Sequence, residues 1–350
     1  MIVPIILAAL ITFALTPVMI FVARKTGLTT DAKETTHPAH THSGVLPRGG
    51  GVPIFIGLLI AVLPFLANKI ILFIMLGGLI IILVGLLDDK YGLSPYLRFI
   101  LNIVASAVAV IGGIGIPFLS NPFGSVIDLN GFIFQMTLFG TSVHLLWLAD
   151  IIAILWIVWC MNMVNWSKGV DGQLPGFVVI TAFFLGILAF RFSRHDISKE
   201  LVTILAFATG ASFLGFLPWN FYPQKILPGY SAGSFAGYML AVLSILSWGK
   251  LGTLFLVLSL PLTDAIIVFL RRIKSKKSPF KADRTHFHHS LLDMGWGRRR
   301  IAVFYWLVSL VFGIFSLLVT SQTKLFGFVL FTAVLTAIII WSYTMARSSR

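Results

Sequence analysis

Long apolar runs separated by short polar segments form the dominant pattern of this chain. About 20 apolar residues in a helix cross the hydrocarbon core of a bilayer, and most runs approach that length. Two of the runs are short, so we expect about 10–11 transmembrane helices in an all-α polytopic membrane protein. The whole chain, 1–350, is then a single integral-membrane domain. The eleven runs are 2–22, 52–66, 70–87, 96–116, 148–164, 176–192, 200–217, 234–247, 251–270, 301–320 and 326–345.

The composition supports this class. Hydrophobic residues make up 58% of the chain, charged residues make up 11%, and the mean hydropathy is +0.97, which excludes an ordinary soluble domain. The single cysteine, Cys160, lies inside an apolar run and excludes both a disulfide framework and a cysteine zinc site. We expect the lipid bilayer, and no nucleic acid, as the large partner of this chain.

Positive charge is unequally distributed between alternate segments. With the N-terminus placed outside, the inner segments hold 20 of the 26 Lys and Arg residues, and cytoplasmic segments carry such an excess. We therefore expect the N-terminus outside and the C-terminus in the cytoplasm. The outer segment 117–147 has no Lys or Arg, and its alternating apolar residues predict an outer loop or a β-hairpin.

The inner segment 271–300 is a basic cytoplasmic loop with ten Lys and Arg residues against two acids. Most of this charge is typical of a topology anchor. If Asp283 caps a short helix, His286 and His289 lie three residues apart on one face, and that face would suit a phosphate group. A chance cluster of interfacial histidines is the alternative. The central cluster comprises Arg284, His286, His288 and His289.

Acidic residues at the ends of apolar runs are the next candidates. Asp88 and Asp89 close the third run, where adjacent carboxylates are costly unless a cation, a proton or a substrate needs them. A functional role is favoured over ordinary helix-end acids. Asp264 lies about two helical turns inside another run, so it is a functional candidate, with pairing to the basic loop as the alternative.

The third inner segment combines amides with glycines. Asn162 and Asn165 share one helix face, and Asp171 lies between Gly169 and Gly172, where the backbone can break. This combination suits recognition of a nucleobase or a sugar. Turn chemistry is the alternative, and it explains the glycines but not the paired amides.

Two other inner segments carry isolated polar side chains. Arg48 precedes the glycines 49–51, which let backbone N–H groups approach an anion closely, although the start of a helix also explains them. Asn220 and Lys225 lie among interfacial aromatic residues and are ligand-binding candidates.

Taken in chain order, six motifs resemble the polyprenyl-phosphate N-acetylhexosamine-1-phosphate transferases of glycosyltransferase family 4. Each motif alone is weak, but six in this order on inner segments are specific, and the resemblance covers nearly the whole chain. The Asp-Arg-Thr-His-Phe-His-His sequence is closer to the N-acetylglucosamine branch. The motifs occupy 42–51, 88–89, 162–172, 216–225, 261–264 and 283–289.

The resemblance implies a reaction and its location. A sugar 1-phosphate, N-acetylglucosamine 1-phosphate in the closer branch, would pass from a UDP-sugar to polyprenyl (undecaprenyl) phosphate. UMP would leave, and the product would start a lipid-linked cell-envelope glycan such as a lipopolysaccharide, O-antigen or teichoic acid precursor. It further implies Mg²⁺ as cofactor, a cytoplasmic active site in a bacterial-type inner membrane, and a homodimer.

The resemblance also implies roles for individual residues. The catalytic residues would be Asp88, Asp89, His286, His288 and His289, and the metal ligands would be Asp88, Asp89 and Asp171. The substrate-binding residues would be Arg48, Asn162, Asn165, Lys168, Asp171, Asn220 and Arg284.

Two positions depart from the family pattern. Lys168 replaces the first acid of the third motif, and Tyr230 stands where the family has a metal carboxylate. Together they make the site more positive by three charges. One hypothesis is an active transferase in which Lys168 partly substitutes for the metal ion. The other is a non-catalytic relative that binds UDP-sugar, polyprenyl phosphate or a partner protein.

Overall fold

The structure is a computed structural model, and it describes residues 1–31, 44–119, 121, 127–129, 133–138, 141–193, 197–247, 251–276 and 284–348. The predicted all-α architecture is confirmed. The helices are α1 (Ile2–Lys25), α2 (Gly51–Val62), α3 (Lys69–Tyr91), α4 (Pro95–Ile111), α5 (Trp147–Trp166), α6 (Gln173–Ser193), α7 (Ile197–Asn220), α8 (Gly229–Leu246), α9 (Leu251–Val257), α10 (Ser259–Lys274), α11 (Phe287–Asp293), α12 (Arg298–Leu318) and α13 (Ser321–Ser348).

Every predicted apolar run is helical, but the runs differ in how they relate to a bilayer. Eight helices in the described part of the chain are long and apolar enough to cross a membrane. The run 251–270 is not one straight span, because α9 and α10 meet at a bend of 82°. The helices α2 and α4 are shorter than a typical span. The chain is thus a multi-pass membrane protein, and its orientation stays a prediction.

Helix α8 forms the centre of the bundle, with nearly every residue buried. Its small residues let neighbouring backbones approach, as is common between membrane helices. A side chain at Gly237 would lie 2.4 Å from the Cys160 carbonyl oxygen of α5, and one at Gly85 of α3 would lie 2.3 Å from the Ser231 Cα of α8. Helices α3 and α5 are therefore locked against α8.

A tight connection between α3 and α4 positions polar side chains for the site. The α3 helix ends at Gly92, whose φ of 65° is readily adopted by glycine. The Ser94 hydroxyl then caps α4 by accepting the N–H of Leu97 at 3.2 Å, and Pro95 supplies a preformed first turn. The first turn of α4 consequently returns to the last turn of α3.

Short antiparallel strand pairs connect the remaining segments, and two of the pairs lie within the segment 117–147 predicted as an outer loop or hairpin. The first pair joins the end of α1 to the segment before α2, and the Leu227 N–H donates to the Pro47 carbonyl at 2.8 Å. The segment before α2 is thereby tied to the segment before α8. The pairs are β1 (Thr29–Asp31) with β2 (Val45–Pro47), β3 (Phe118–Leu119) with β4 (Ile127–Asp128), and β5 (Ile133–Leu138) with β6 (Thr141–Leu146).

Candidate active site

The paired acids lie buried at the end of α3, against the start of α8. Asp89 Oδ1 accepts the Tyr230 N–H at 2.9 Å, and Asp89 Oδ2 accepts the Ser231 hydroxyl at 3.3 Å. A carboxylate is favoured at a helix N-terminus, where backbone N–H groups lack partners within the helix. Gly229 permits this approach, because a side chain there would lie 2.1 Å from Asp89 Oδ2.

Three cationic side chains surround these acids. Arg98 Nη1 lies 3.2 Å from Asp88 Oδ2, and Arg48 Nη1 lies 3.5 Å from Asp89 Oδ1. Lys168 donates to the Gly229 carbonyl. Burial lowers the pKa of Lys168 to about 8, although the charge on Asp89 acts in the opposite direction. Lys168 is therefore still mostly protonated at pH 7. We call Arg48, Arg98 and Lys168 the cation trio.

The Tyr230 side chain packs against the same cluster. Its hydroxyl accepts the Asn102 amide at 3.0 Å, and the Arg98 guanidinium lies 5.0 Å from the centre of its ring. Sequence reasoning missed both α4 residues. Their spacing of four places them on one face of an otherwise apolar helix, and this was the available signal.

The carboxylates predicted to hold Mg²⁺ are not brought together. In the part of the chain that the structure describes, no three His, Cys, Asp or Glu side chains are grouped as metal ligands. Asp171 instead accepts both the N–H and the side-chain amide of Gln224, at 3.3 and 3.0 Å, and lies 3.7 Å from Arg298. Asp88 and Asp89 are each paired with an arginine. This donor set does not fit a magnesium ion, which prefers about six oxygen ligands.

Asp264 anchors the histidine segment. Its Oδ2 lies 2.9 Å from His286 Nδ1, and its Oδ1 accepts the Phe287 N–H at 2.8 Å, so the side chain caps α11 from α10. Among the described residues, α11 begins at Phe287 and not after Asp283, which itself lies outside them. His286 therefore precedes the helix.

The prediction that His286 and His289 share one helix face does not describe the observed arrangement of the three imidazoles. The His286 and His288 rings are parallel, with centres 5.7 Å apart, and the His288 and His289 centres are 4.3 Å apart. Burial lowers the pKa of His288 well below its usual value and that of His289 to about 4. Both are neutral at pH 7, and the buried Nδ1 atom of each lacks a hydrogen-bond partner among the described residues.

Gly169 joins the histidines to the cation trio. A side chain at this position would lie 1.8 Å from His288 Nε2, so the imidazole packs directly on the glycine backbone. The preceding residue, Lys168, reaches Gly229 beneath Asp89. The histidine cluster therefore contacts Gly169, and the adjacent Lys168 interacts electrostatically with Asp89 of the acid pair.

The remaining predicted residues have differing roles. The Asn162 amide donates to its own helix at Val158, whereas the buried Asn165 Oδ1 has no partner in the described part of the chain. Asn220 accepts the Gly172 N–H at 3.1 Å and so clamps two inner segments together. Arg284 is half exposed and pairs with Asp293 at 3.2 Å, and its positive charge helps to lower the pKa of His289.

An open cavity of about 680 Å³ lies beside Asp171. Its volume is within the range of small-molecule sites. Residues from four inner segments line it, and they combine two guanidinium groups, two aromatic rings and one carboxylate. The lining residues are Leu46, Asp171, Tyr222, Pro223, Gln224, Leu292, Trp296, Gly297, Arg298 and Arg299.

Comparison with known proteins gives a consistent set of relatives. The family model described as "Glycosyl transferase family 4" matches residues 71–248. The "Probable undecaprenyl-phosphate N-acetylglucosaminyl 1-phosphate transferase" of Bacillus subtilis is 30% identical, over 91% of this chain and 84% of its own length. An "Undecaprenyl-phosphate alpha-N-acetylglucosaminyl 1-phosphate transferase" of Thermotoga maritima is 28% identical, over 97% of this chain and 96% of its own length. A "Phospho-N-acetylmuramoyl-pentapeptide-transferase" of Staphylococcus saprophyticus is 28% identical, over 89% and 97% respectively.

Proposed function

The chain belongs to glycosyl transferase family 4, and we propose that it transfers N-acetylglucosamine 1-phosphate from UDP-N-acetylglucosamine to polyprenyl phosphate. The product would begin a lipid-linked cell-envelope glycan. The observation that carries this proposal is the meeting of the acid pair, the cation trio and the histidines around residues 168–169. Relatives named for the same transfer support it.

The proposed reaction joins two anions. A phosphate oxygen of the lipid forms a bond to the sugar-bearing phosphorus, the bond from this phosphorus to the bridging oxygen breaks, and UMP leaves with that oxygen and its electron pair. Two unit charges 5 Å apart repel by roughly 3 kcal/mol at an effective dielectric of 20. Positive charge fixed at the reaction centre offsets this repulsion, and the cation trio would supply it.

The acid pair has a separate role in this scheme. Asp88 Oδ1 is buried and lacks a partner among the described residues, so it is positioned to take a proton from a singly protonated lipid phosphate. Asp89 has both oxygens bound and orients the start of α8 and Arg48. In this assignment Asp88 is the proton acceptor, and Asp89 is a positioning residue.

The donor would extend from the histidines into the cavity beside Asp171. The neutral His288 and His289 would bind the diphosphate by hydrogen bonds and not by charge. Arg298 and Arg299, which both lie over the Tyr222 ring, would contact the nucleotide. The acceptor would approach from the inner leaflet, and the reaction would then take place on the cytoplasmic side of the inner membrane.

The proposal is tested by UMP release from UDP-N-acetylglucosamine in membranes supplied with polyprenyl phosphate. The wild-type protein should release UMP only when both substrates are present, and Asp88→Asn should abolish release while leaving UDP-sugar binding intact. Release by neither protein, with folding shown by a thermal transition, would contradict the proposal and favour the non-catalytic alternative.

A kinetic test separates the two substrates. Arg98→Ala should raise KM for the lipid acceptor by about tenfold to a hundredfold, since charge-assisted hydrogen bonds contribute roughly 1.5–3 kcal/mol, and leave KM for the donor nearly unchanged. Lys69→Ala is the matched control, because Lys69 lies over the Phe73 ring at the opposite end of α3. Equal changes in both KM values would count against Arg98 as an acceptor ligand.

A further inference from the structure

The charge balance around the acid pair is positive without any ion. Among the described residues, three cations, Arg48, Arg98 and Lys168, lie around two carboxylates, Asp88 and Asp89, so one positive charge remains. We propose that the cation trio binds the phosphates of both substrates directly and that this transferase needs no divalent metal ion. The inference rests on the proposed transfer and concerns how its charge is stabilised.

The oxygen atoms that a metal ion would need are already engaged. Asp89 gives one oxygen to the Tyr230 N–H and Arg48 and the other to the Ser231 hydroxyl. Asp88 gives one oxygen to Arg98, and the other is the single oxygen of the pair with no partner in the part of the chain that the structure describes. Magnesium at phosphate sites is usually held by one or two protein carboxylates together with water and substrate phosphates. One uncommitted carboxylate oxygen beside three cations gives such an ion little electrostatic attraction.

The two arginines of the trio also lie nearer to the surface than the acids. The Arg48 and Arg98 side chains are 26% and 27% exposed, whereas those of Asp89 and Asp88 are 1% and 8% exposed. An arriving ligand therefore meets guanidinium groups before it meets carboxylates. This order favours a phosphate and disfavours a hydrated cation.

Tyr230 leaves the excess positive charge of the cation trio uncompensated. Its ring faces both Arg98, at 5.0 Å, and the Lys168 ammonium, at 6.0 Å, and its hydroxyl is bound by Asn102. A neutral ring orients cations through its quadrupole and leaves their charge uncompensated. A carboxylate at this position would neutralise one member of the trio and add oxygen ligands. Tyr230 and Lys168 together thus adapt the site to bind anions without a metal ion.

The first test is UMP release in the presence of a chelator. Wild-type release should persist in EDTA. Lys168→Asp combined with Tyr230→Asp should make release depend on Mg²⁺, with a loss of about tenfold or more in EDTA, a size typical of a disturbed metal site. Ala67→Asp with Lys69→Asp is the matched control. Both residues are exposed at the opposite end of α3, so this pair makes the same charge change outside the cluster.

The second test does not depend on turnover. In a Mn²⁺ titration followed by electron paramagnetic resonance, the purified wild-type protein and the Ala67/Lys69 control should leave Mn²⁺ free, and the Lys168/Tyr230 variant should bind it. Stoichiometric binding by the wild type, or release that EDTA abolishes and Mg²⁺ restores, would overturn the inference. If the wild type releases no UMP in any condition, the proposed transfer fails, while the titration still decides whether the site holds a metal ion.

Discussion

At the scale of single residues, Gly169 sets how closely the histidine cluster approaches Lys168. We expect Gly169→Ala to abolish most UMP release, because the added methyl group would overlap His288 Nε2 and push the histidines away from Lys168. Overpacking of this kind typically costs about 1–3 kcal/mol of stability, so the protein should still fold. Thermal unfolding and release are measured together.

Gly252→Ala provides the control for this change. A methyl group at Gly252 of α9 would lie at an ordinary 3.8 Å from its nearest neighbour, Lys324 Cβ of α13. Wild-type release by Gly169→Ala would show that the His288 contact is not needed. Equal losses in both variants would point to a general effect of alanine.

The buried imidazoles give a residue-scale pH dependence. Burial lowers the pKa of His289 from 6.5 to about 4 and that of His288 well below 6.5. Between about pH 6.5 and 4 the unfolded chain therefore binds more protons than the folded protein, so the free energy of unfolding falls as the pH is lowered through this window. We expect the thermal unfolding midpoint in detergent to fall accordingly.

Replacement of the imidazoles by a group that does not titrate separates their effect from that of other residues. His288→Gln with His289→Gln should flatten the pH dependence of the midpoint and leave its value at pH 8 less affected. A fall as steep as in the wild type would assign the pH dependence to other groups.

At the scale of helices, contact between α3 and α8 holds the acid pair in place. We expect Gly85→Ala to lower both the unfolding midpoint and UMP release, because its methyl group would meet the Ser231 backbone. The Ser231 hydroxyl also binds Asp89 and accepts the Gly51 N–H at 3.3 Å. An unchanged midpoint would show that the α3 and α8 backbones separate at little cost.

The positions of the helices along the chain were predictable from the sequence, whereas the angles at which consecutive helices meet were not. Apolar runs of sufficient length specify membrane helices almost by composition, since backbone polar groups in lipid must be satisfied within the segment. Composition is the same for a straight span and for a pair bent by 82°, so the break between Val257 and Ser259 was missed. Pro261 in the first turn of α10 fits a helix start, but it fits a straight membrane helix as well.

The candidate site was likewise only partly predictable from the sequence. Motif order predicts Asp88, Asp89 and the histidines as site residues, but spacing along the chain does not show which way a loop turns. Asp171 therefore proved to face Arg298 and Gln224 and not the acid pair. Arg98 was missed because its partner, Asp88, lies in the preceding helix, and the connection that brings them together is set by the turn at Gly92.

At the scale of the whole molecule, the orientation in the bilayer decides which compartment supplies the donor. The excess of Lys and Arg on one set of segments predicts that the end of α10 faces the cytoplasm and the turn between α2 and α3 faces outside. Single cysteines at exposed positions test this, with Ser275→Cys after α10 and Ala67→Cys before α3. Native Cys160 is fully buried, so its background labelling should be low. A membrane-impermeant maleimide should label the Ala67 variant in intact cells and the Ser275 variant only after permeabilisation. The reverse pattern would place the cation trio outside, where no cytoplasmic sugar nucleotide reaches it, and would remove the basis for the proposed reaction.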